Sequence, residues 1–461
     1  MSCIIGAKII IIILKIICTD VNSLLFLLNL QAQSVIGINF LLIMDVSEVR
    51  QLFPALGRRV YGKPLVYFDN AATVQRPQQV MDEWLRMTSG CNANIHRAVH
   101  ILAEEATSAY EQARDSVAKF INAPDRSSII FTSGVTASIN LVAFSFGEAF
   151  VSENDEVIVT EEEHHSNIVP WQMMCRRKKA VMKVLPVDEN GRLKVELLEG
   201  MLTDRTRIVA VTHISNVLGI VNPVKDIVSV CHRHNVPVLV DGAQGVVHCK
   251  VDVRDLGCDF YAFSGHKIYA ATGTGVLYGK KSLLDAMPPY MGGGEMVGTV
   301  KFSGTTYAPL PLKFEAGTQN IAGVATLTPA LALAEKLNSD SALGEYSDSV
   351  RDFLLDYFMS DGRIRLYGIP EKEKTCLDCG AESGEKIPLF SFSVKGVHHE
   401  DLALLLDKMG VAVRSGQMCA EPLMDRYGVT GMLRASLAPY NTMEEAEYFV
   451  KCLDKAIKML G

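Results

Sequence analysis

The sequence predicts an α/β protein with two parts. The first is a large domain with a mostly parallel seven-stranded sheet, and the second is a smaller α+β C-terminal domain. From Val66 onward, seven short apolar runs alternate with helical stretches, and after about Leu333 the helices lengthen and only a few strands follow. Buried strands separated by crossover helices form parallel sheets, which bind ligands at the carboxyl ends of their strands.

The seven predicted strands are short runs rich in β-branched or other apolar residues. They cover Ser128–Phe131, Glu156–Thr160, Val181–Val187, Arg207–Thr212, Val236–Val240, Phe260–Phe263 and Gly275–Tyr278. The helical stretches among them include Ala106–Ile121 and Val224–His234. The strands predicted for the smaller domain are Leu389–Val394, Val411–Val413 and Met432–Leu437.

Composition and charge restrict the class of protein. The 461 residues are 48% hydrophobic and 21% charged, which is ample for a large core in about two or three domains. The net charge of -7 argues against nucleic acid as the main partner, because phosphate binding needs a concentrated basic surface. The 11 cysteines are scattered and odd in number, which indicates a reducing, cytoplasmic protein without a disulfide framework.

The first 43 residues differ from the rest of the chain. Apolar blocks at Ile9–Ile13, Leu24–Leu30 and Val35–Ile43 are interrupted by polar residues, so no apolar run reaches the roughly 18 residues of a membrane helix. We predict that Met44 is the functional start. A membrane anchor formed by residues 1–43 is the alternative.

A lysine and an aspartate follow two successive predicted strands. A lysine buried at such a position, as Lys267 would be, has a depressed pKa and can form a Schiff base with an aldehyde. Pyridoxal phosphate is the common aldehyde partner, and Asp241 is placed to keep its ring nitrogen protonated. Ser264 and His266 offer phosphate donors, and Gly265 permits close backbone approach. Without these neighbouring residues, Lys267 and Asp241 would be interpreted as a surface lysine and a helix-capping aspartate.

A second candidate anion site is the segment Thr132–Thr136, which contains Gly134. It follows the strand Ser128–Phe131 and opens a predicted helix, Ala137–Ala143, so that backbone N–H groups and the positive helix end would face an anion. The alternative is a glycine-containing turn with a threonine cap.

A candidate nucleophile lies in the smaller domain, in the segment Arg414-Ser-Gly-Gln-Met-Cys419. A cysteine on a glycine-bearing loop is exposed enough to act as a thiolate. Most single cysteines are instead small buried hydrophobic residues. Arg434 follows fifteen positions later, and its planar fork suits a carboxylate; a surface ion pair is the alternative.

Five motifs occur along the chain in an order typical of one family. They are Glu163-His-His-Ser-Asn167, Thr212-His-Ile-Ser-Asn-Val-Leu-Gly219, Asp241-Gly-Ala-Gln244, Ser264-Gly-His-Lys267 and Phe314-Glu-Ala-Gly-Thr318. From about Met44 to the C-terminus, the chain resembles the SufS-type cysteine desulfurases, which are class V, fold-type I enzymes that use pyridoxal phosphate.

The resemblance implies a role for each residue around the cofactor. Lys267 would be the cofactor lysine and general base, and His164 would stack on the pyridine ring, although spacing alone leaves His165 open. Asn216 and Gln244 would reach the phenolic oxygen. The phosphate would be bound at the loop around Gly134 by Thr136, Ser264, His266 and, from the other subunit of a homodimer, Thr318.

The resemblance also assigns the substrate groups. Cys419 would form the persulfide, Arg434 would clamp the substrate carboxylate with Asn216 and Arg414, and Arg97 would act across the dimer. Many relatives have Thr-Gly-His-His before the cysteine, where this chain has Ser415-Gly-Gln-Met418, so activation of the thiol must come from elsewhere. Tyr269-Ala-Ala-Thr272 likewise replaces a more usual Gly-Pro.

The implied reaction converts L-cysteine to L-alanine and passes the persulfide sulfur to an acceptor protein for iron–sulfur cluster assembly. One alternative is a selenocysteine lyase, which would share Lys267, Asp241 and Arg434 but need Cys419 less. Another, of a different class, is a membrane-attached scaffold defined by residues 1–43. No metal is expected, because Cys376-Leu-Asp-Cys379 lacks a second pair of ligands nearby.

We therefore predict four segments. Residues 1–43 are an apolar extension outside the enzyme, and residues 44–65 are an arm that packs on the small domain. Residues 66–333 form the cofactor-binding large domain, and residues 334–461 form the small domain with the cysteine.

Overall fold

The computed structural model describes residues 45–370 and 383–461. The predicted extension and the pair Cys376 and Cys379 lie outside these ranges. Within them, every helix is too short or too polar to cross a lipid bilayer.

The strands follow the predicted order along the chain. They are β1 (Arg59–Val60), β2 (Lys63–Pro64), β3 (Val66–Tyr67), β4 (Ile129–Thr132), β5 (Glu156–Thr160), β6 (Val181–Leu185), β7 (Thr206–Thr212), β8 (Val238–Asp241), β9 (Phe260–Ser264), β10 (Gly275–Gly279), β11 (Val297–Lys301), β12 (Gly304–Tyr307), β13 (Ile364–Tyr367), β14 (Leu389–Val394), β15 (Val411–Ala412), β16 (Arg414–Gly416) and β17 (Met432–Ser436).

The helices alternate with these strands in the first part of the chain. They are α1 (Val46–Gln51), α2 (Gln78–Ser89), α3 (Ile101–Phe120), α4 (Val135–Phe150), α5 (Val169–Lys178), α6 (Leu198–Met201), α7 (Val224–Arg233), α8 (Gly245–His248), α9 (Val253–Leu256), α10 (Lys281–Ala286), α11 (Ile321–Ala325), α12 (Leu327–Asn338), α13 (Ser341–Ser360), α14 (His399–Lys408), α15 (Glu421–Tyr427) and α16 (Met443–Leu460).

The central sheet has seven strands in the order β4-β10-β9-β8-β7-β5-β6. Strand β10 runs antiparallel to β4 and β9, and the other neighbours are parallel. The prediction of an α/β fold with a mostly parallel seven-stranded sheet is therefore confirmed. Strands β8 and β9 are buried along their whole length, as expected for central strands covered by helices on both faces.

Small differences from the predicted bounds have local causes. Strand β6 ends at Leu185 because Pro186 has no N–H to continue the ladder, and β8 begins after Pro237 for the same reason. Helix α3 begins five residues before the predicted start, at Ile101, because the His100 ring accepts a hydrogen bond from the Ala103 N–H (3.3 Å) and caps it.

A second sheet, in the order β13-β14-β17-β16, is antiparallel throughout. It has its own apolar core, with Phe358, Phe390 and Phe449 buried between the sheet and its helices. The N-terminal segment lies against this part: Arg50 pairs with Glu445 (2.7 Å). The predicted domain boundary at residues 333 and 334 falls inside helix α12 and stays a prediction.

Candidate active site

Lys267 and Asp241 meet at one edge of the central sheet, because β8 and β9 are neighbouring parallel strands. We call Asp241 together with residues 264–267 the lysine edge. Burial lowers the pKa of Lys267 to about 8, and the charge of Asp241 opposes this shift. Burial raises the pKa of Asp241, while a hydrogen bond from the Ala243 N–H (3.0 Å) and the charge of Lys267 oppose that change. An amine with this pKa is partly neutral near neutral pH and is therefore nucleophilic.

The loop between β4 and α4 lies beside this edge. The Val135 N–H donates to the Ser264 hydroxyl (2.8 Å), and the N-cap residue Gly134 has no side chain to cap the helix, so other backbone N–H groups of the first turn remain available to an anion. A Cβ on Gly275 would lie 2.4 Å from the Gly134 Cα, so only glycine lets β10 pass this close to the loop. Thr136 is exposed in the first turn of the helix.

His266 has a partner that sequence reasoning missed. Its Nδ1 lies 3.2 Å from the Thr73 hydroxyl, and the same hydroxyl donates to the His266 carbonyl (3.2 Å). The two residues are 193 positions apart, and no local pattern distinguishes Thr73.

The two adjacent histidines have different surroundings. Burial and the charge of Lys267 lower the pKa of His164 to about 4. Its Nδ1 accepts from the Ser166 N–H (3.1 Å), so the neutral ring carries its proton on Nε2 and can donate from there. His165 is instead bound to the segment around Cys419. This placement favours His164 as the residue beside the cofactor ring.

Asn216 and Gln244 are both buried, and backbone carbonyls orient their amides. Asn216 Nδ2 donates to the Met418 carbonyl (2.9 Å), and Gln244 Nε2 donates to the Ala71 carbonyl (2.8 Å). The first of these bonds joins the central sheet to the segment that carries the cysteine.

A cluster of two arginines and one aspartate lies next to Asn216. Arg434, in β17, is 2% exposed, donates to the Asn216 carbonyl (2.8 Å) and pairs with Asp69 (3.3 Å). Its Nε is buried without a hydrogen-bond partner, which suits a carboxylate ligand. Burial lowers the pKa of Arg434 to about 10, so the group stays charged at neutral pH. Arg414 binds the same carboxylate through two nitrogens (3.0 and 2.9 Å), a role for Asp69 that the sequence did not reveal.

Cys419 lies on a strained loop between β16 and α15. Met418 and Cys419 have φ angles of 54° and 56°, which are costly for residues with side chains. We call residues 417–421 the cysteine loop. The His165 N–H donates to the Cys419 carbonyl (2.7 Å), and the His165 Nε2 accepts from the Glu421 N–H (3.0 Å).

Cys419 is exposed, whereas the other cysteines in the described ranges are buried. Three cations act on it electrostatically: Lys267, Arg414 and Arg434.

The two residues predicted to act across a dimer lie apart from this cluster. Arg97 pairs with Glu295 (2.9 Å), and its side chain is 60% exposed. Thr318 is exposed in a segment anchored by Glu315, which binds Arg114 (2.8 Å) and the Phe131 N–H (2.8 Å).

Residues 66–449 match the aminotransferase class-V family, so the chain belongs to that family. The predicted membership of class V is confirmed, and the sheet order above is that of a fold-type I enzyme.

Among curated proteins, the chain is similar to the cysteine desulfurases of Salmonella agona and Salmonella newport. Each is 43% identical over 417 residues, which cover 90% of this chain and 99% of the relative. Among solved structures, it is similar to the cysteine desulfurase CsdA of Escherichia coli, with 39% identity and a TM-score of 0.80 over 91% of this chain and 100% of that chain.

A cysteine desulfurase of Thermococcus onnurineus NA1 has a TM-score of 0.78 and 32% identity over 88% of this chain and 99% of that chain. These relatives confirm the predicted resemblance to cysteine desulfurases. The narrower SufS-type assignment stays a prediction.

Proposed function

We propose that the protein is a pyridoxal phosphate-dependent cysteine desulfurase. It would convert L-cysteine to L-alanine and leave a persulfide on Cys419. The observation that carries this proposal is the grouping of Lys267, Asp241 and Arg434 with an exposed cysteine within electrostatic reach of the lysine.

The described residues fit the cofactor. Lys267 would hold its aldehyde carbon, Asp241 its ring nitrogen and His164 its ring face. The loop around Gly134, which only glycine at position 275 accommodates, would cradle the phosphate. When bound, pyridoxal phosphate supplies an electron-withdrawing ring that takes up the electron pairs released at the substrate α-carbon.

Further contacts to the cofactor follow from the resemblance. Thr136, Ser264 and His266 would bind the phosphate together with Thr318 of the partner subunit. Asn216 and Gln244 would donate to the phenolic oxygen.

Lys267 would also move the proton at the substrate α-carbon. A pKa near 8 suits this task, because the amine can both accept and return a proton near neutral pH. Arg434 would bind the substrate carboxylate through its unpaired Nε, and Asn216 and Arg414 would complete the carboxylate site. Arg97 would contribute across the dimer interface.

Cys419 would take the sulfur in the second half of the reaction. Its thiolate attacks the substrate sulfur, so a sulfur–sulfur bond forms while the carbon–sulfur bond breaks. The electron pair of the broken bond stays with the carbon fragment, which takes up protons and leaves as alanine.

We further propose that the protein is a cytoplasmic homodimer that passes the persulfide sulfur to an acceptor protein of iron–sulfur cluster assembly. The large domain would span residues 66–333, and the small domain, residues 334–461, would carry the cysteine loop. Residues 44–65 would form an arm that packs on the small domain.

The test is an absorbance spectrum of the full chain with and without L-cysteine, together with assays of the products. We expect a yellow protein, equal amounts of alanine and of sulfide released by a thiol reductant, and a sulfur adduct on the Cys419 peptide by mass spectrometry. A colourless protein that cannot be loaded with pyridoxal phosphate would contradict the proposal. Alanine production without a sulfur adduct at Cys419 would contradict the role of that residue.

A further inference from the structure

The segment of residues 215–221 contains Asn216. Hydrogen bonds link it along its length to the second sheet and to the residues directly before β14. The Ile387 N–H donates to the Gly219 carbonyl (2.9 Å), and the Val221 N–H donates to the Glu385 carbonyl (3.0 Å). A short antiparallel pairing thus joins residues 219–221 to residues 384–387, directly before β14.

Three side chains donate hydrogen bonds to the carbonyls that come just before this pairing in the same segment. The carbonyls of residues 216, 217 and 218 each accept one hydrogen bond, and the donors are Arg434 Nη1 (2.8 Å), Ser391 Oγ (2.5 Å) and Lys386 Nζ (2.5 Å) in that order. Three consecutive carbonyls and three donors from one neighbouring sheet region fix the position and rotation of this backbone.

Lys386 is unusual among the three donors because lysine is rarely buried. It is 4% exposed, and its second acceptor is the Tyr367 carbonyl (3.2 Å). Burial lowers the pKa of Lys386 to about 7, so the neutral amine is well populated near neutral pH. A neutral amine has two N–H donors, and these match the two carbonyls that the side chain reaches.

The held segment also makes a contact in the candidate active site. Asn216 sits at its start, and the Asn216 amide donates to the Met418 carbonyl of the cysteine loop (2.9 Å). The segment is also tightly turned, because the Gly219 N–H donates to the Ser215 carbonyl (2.9 Å) and the Leu218 N–H donates to the Ser215 hydroxyl (3.2 Å). A displacement at residue 218 would therefore be transmitted to Asn216.

We propose that Lys386 and Ser391 are positioning residues for the nucleophile. By holding the carbonyls of residues 217 and 218, they fix Asn216, and through Asn216 they hold the cysteine loop over the site. This inference deepens the proposed function and rests on it for the role of Cys419 as the sulfur acceptor.

The test measures how fast iodoacetamide alkylates Cys419 in the full-length protein, with the Cys419 peptide followed by mass spectrometry. We expect Lys386→Met and Ser391→Ala each to raise the rate about fivefold. Each change would displace Asn216 and so break its hydrogen bond to the cysteine loop, and the loss of one hydrogen bond corresponds to a change of this size. Lys395→Met and Ser393→Ala are the matched controls, because both residues lie on the same strand or next to it without reaching the held carbonyls. Both controls should leave the rate unchanged.

A double-variant cycle separates positioning from general destabilisation. Asn216→Ala alone should accelerate alkylation, and adding Lys386→Met to it should change the rate no further, since both act through one contact. Rates that match the wild type in both Lys386→Met and Ser391→Ala would overturn the inference. Fully additive effects with Asn216→Ala would overturn it as well.

Two features make this test independent of the folding of one variant and of the proposed desulfurase activity. Ser391→Ala removes only one hydroxyl group, so it carries the measurement if Lys386→Met fails to fold. Alkylation requires no turnover of L-cysteine, so a protein without desulfurase activity would still report whether Lys386 and Ser391 hold the loop.

Discussion

The lysine edge and the cysteine loop face the same site, but they are held in place by different means. The lysine edge ends two neighbouring parallel strands, β8 and β9, whose side chains are buried along their whole length. The cysteine loop contains two consecutive residues with positive φ, and hydrogen bonds from Asn216 and His165 to its backbone hold it.

This difference suits the two halves of the proposed reaction. Moving the lysine edge would require breaking the central sheet, whereas the cysteine loop is released by breaking a few hydrogen bonds of about 1 kcal/mol each. In the proposed reaction, Lys267 would have to stay beside the cofactor, whereas a sulfur on Cys419 would have to reach another protein. The cysteine loop, held by fewer bonds, would be the part of the site that moves.

The largest effect is expected for Lys267→Ala, which removes the reactive group of the lysine edge. Turnover of L-cysteine should fall by about 10⁴-fold, because both attachment of the cofactor and proton transfer lose their amine. The yellow absorbance of the bound cofactor should disappear with it. The control is Lys250→Ala, an exposed lysine that should leave both unchanged. Retained absorbance and turnover in Lys267→Ala would contradict the assignment.

Cys419→Ala makes the matching change in the cysteine loop. L-Cysteine turnover should fall by about 10³-fold, because the covalent acceptor is lost, while the cofactor absorbance stays as in the wild type. Steady-state kinetics and spectra on one sample check both. If L-selenocysteine is turned over at the wild-type rate while L-cysteine turnover also survives, the enzyme acts as the alternative lyase.

Arg434→Lys tests the contact between the lysine edge and the cysteine loop. Arg434 lies between Asn216, which holds the cysteine loop, and Asp69. Lysine keeps the charge but cannot supply the fork that binds a carboxylate, so the KM for L-cysteine should rise about 30-fold. The loss should appear mainly in KM, measured over a wide range of substrate concentrations. An unchanged KM would exclude Arg434 from the carboxylate site.

The smallest effect concerns pH. Because burial lowers the pKa of Lys267 to about 8, the neutral amine fraction rises as pH increases through that value. The rate at which cofactor-free protein takes up pyridoxal phosphate should therefore increase about fivefold between pH 7 and pH 8 and level off above it, whereas an ordinary lysine would continue to gain up to about pH 10.4. Stopped-flow absorbance measures this rate, and a steady rise beyond pH 9 would contradict the lowered pKa.

The sequence predicted the lysine edge better than the surroundings of the cysteine loop. Strands and their terminal residues depend on local apolar patterns, so the positions of Asp241 and Lys267 followed from neighbours along the chain. Asp69 pairs with Arg434 across 365 positions, and Lys386 reaches Leu218 across 168. Such contacts depend on tertiary packing, which no local pattern encodes.

His165 illustrates the same limit. The sequence placed it beside His164 and left open which ring stacks on the cofactor. Only the fold brings the Glu421 N–H to the ring of His165, across 256 positions. The strained backbone at Met418 and Cys419 was also invisible in the sequence, because neither residue type favours positive φ.

The cysteine loop is held by hydrogen bonds to its backbone groups. Asn216 holds the carbonyl of Met418, while His165 holds the carbonyl of Cys419 and the N–H of Glu421. Because these contacts are made to backbone groups, they do not depend on which side chains stand at 417 and 418. The same attachment would therefore serve a loop with two histidines at these positions, as the resemblance implies for many relatives. Met418 is buried and Gln417 is exposed, so in the proposed function Gln417 is the position of the two that a sulfur acceptor would meet.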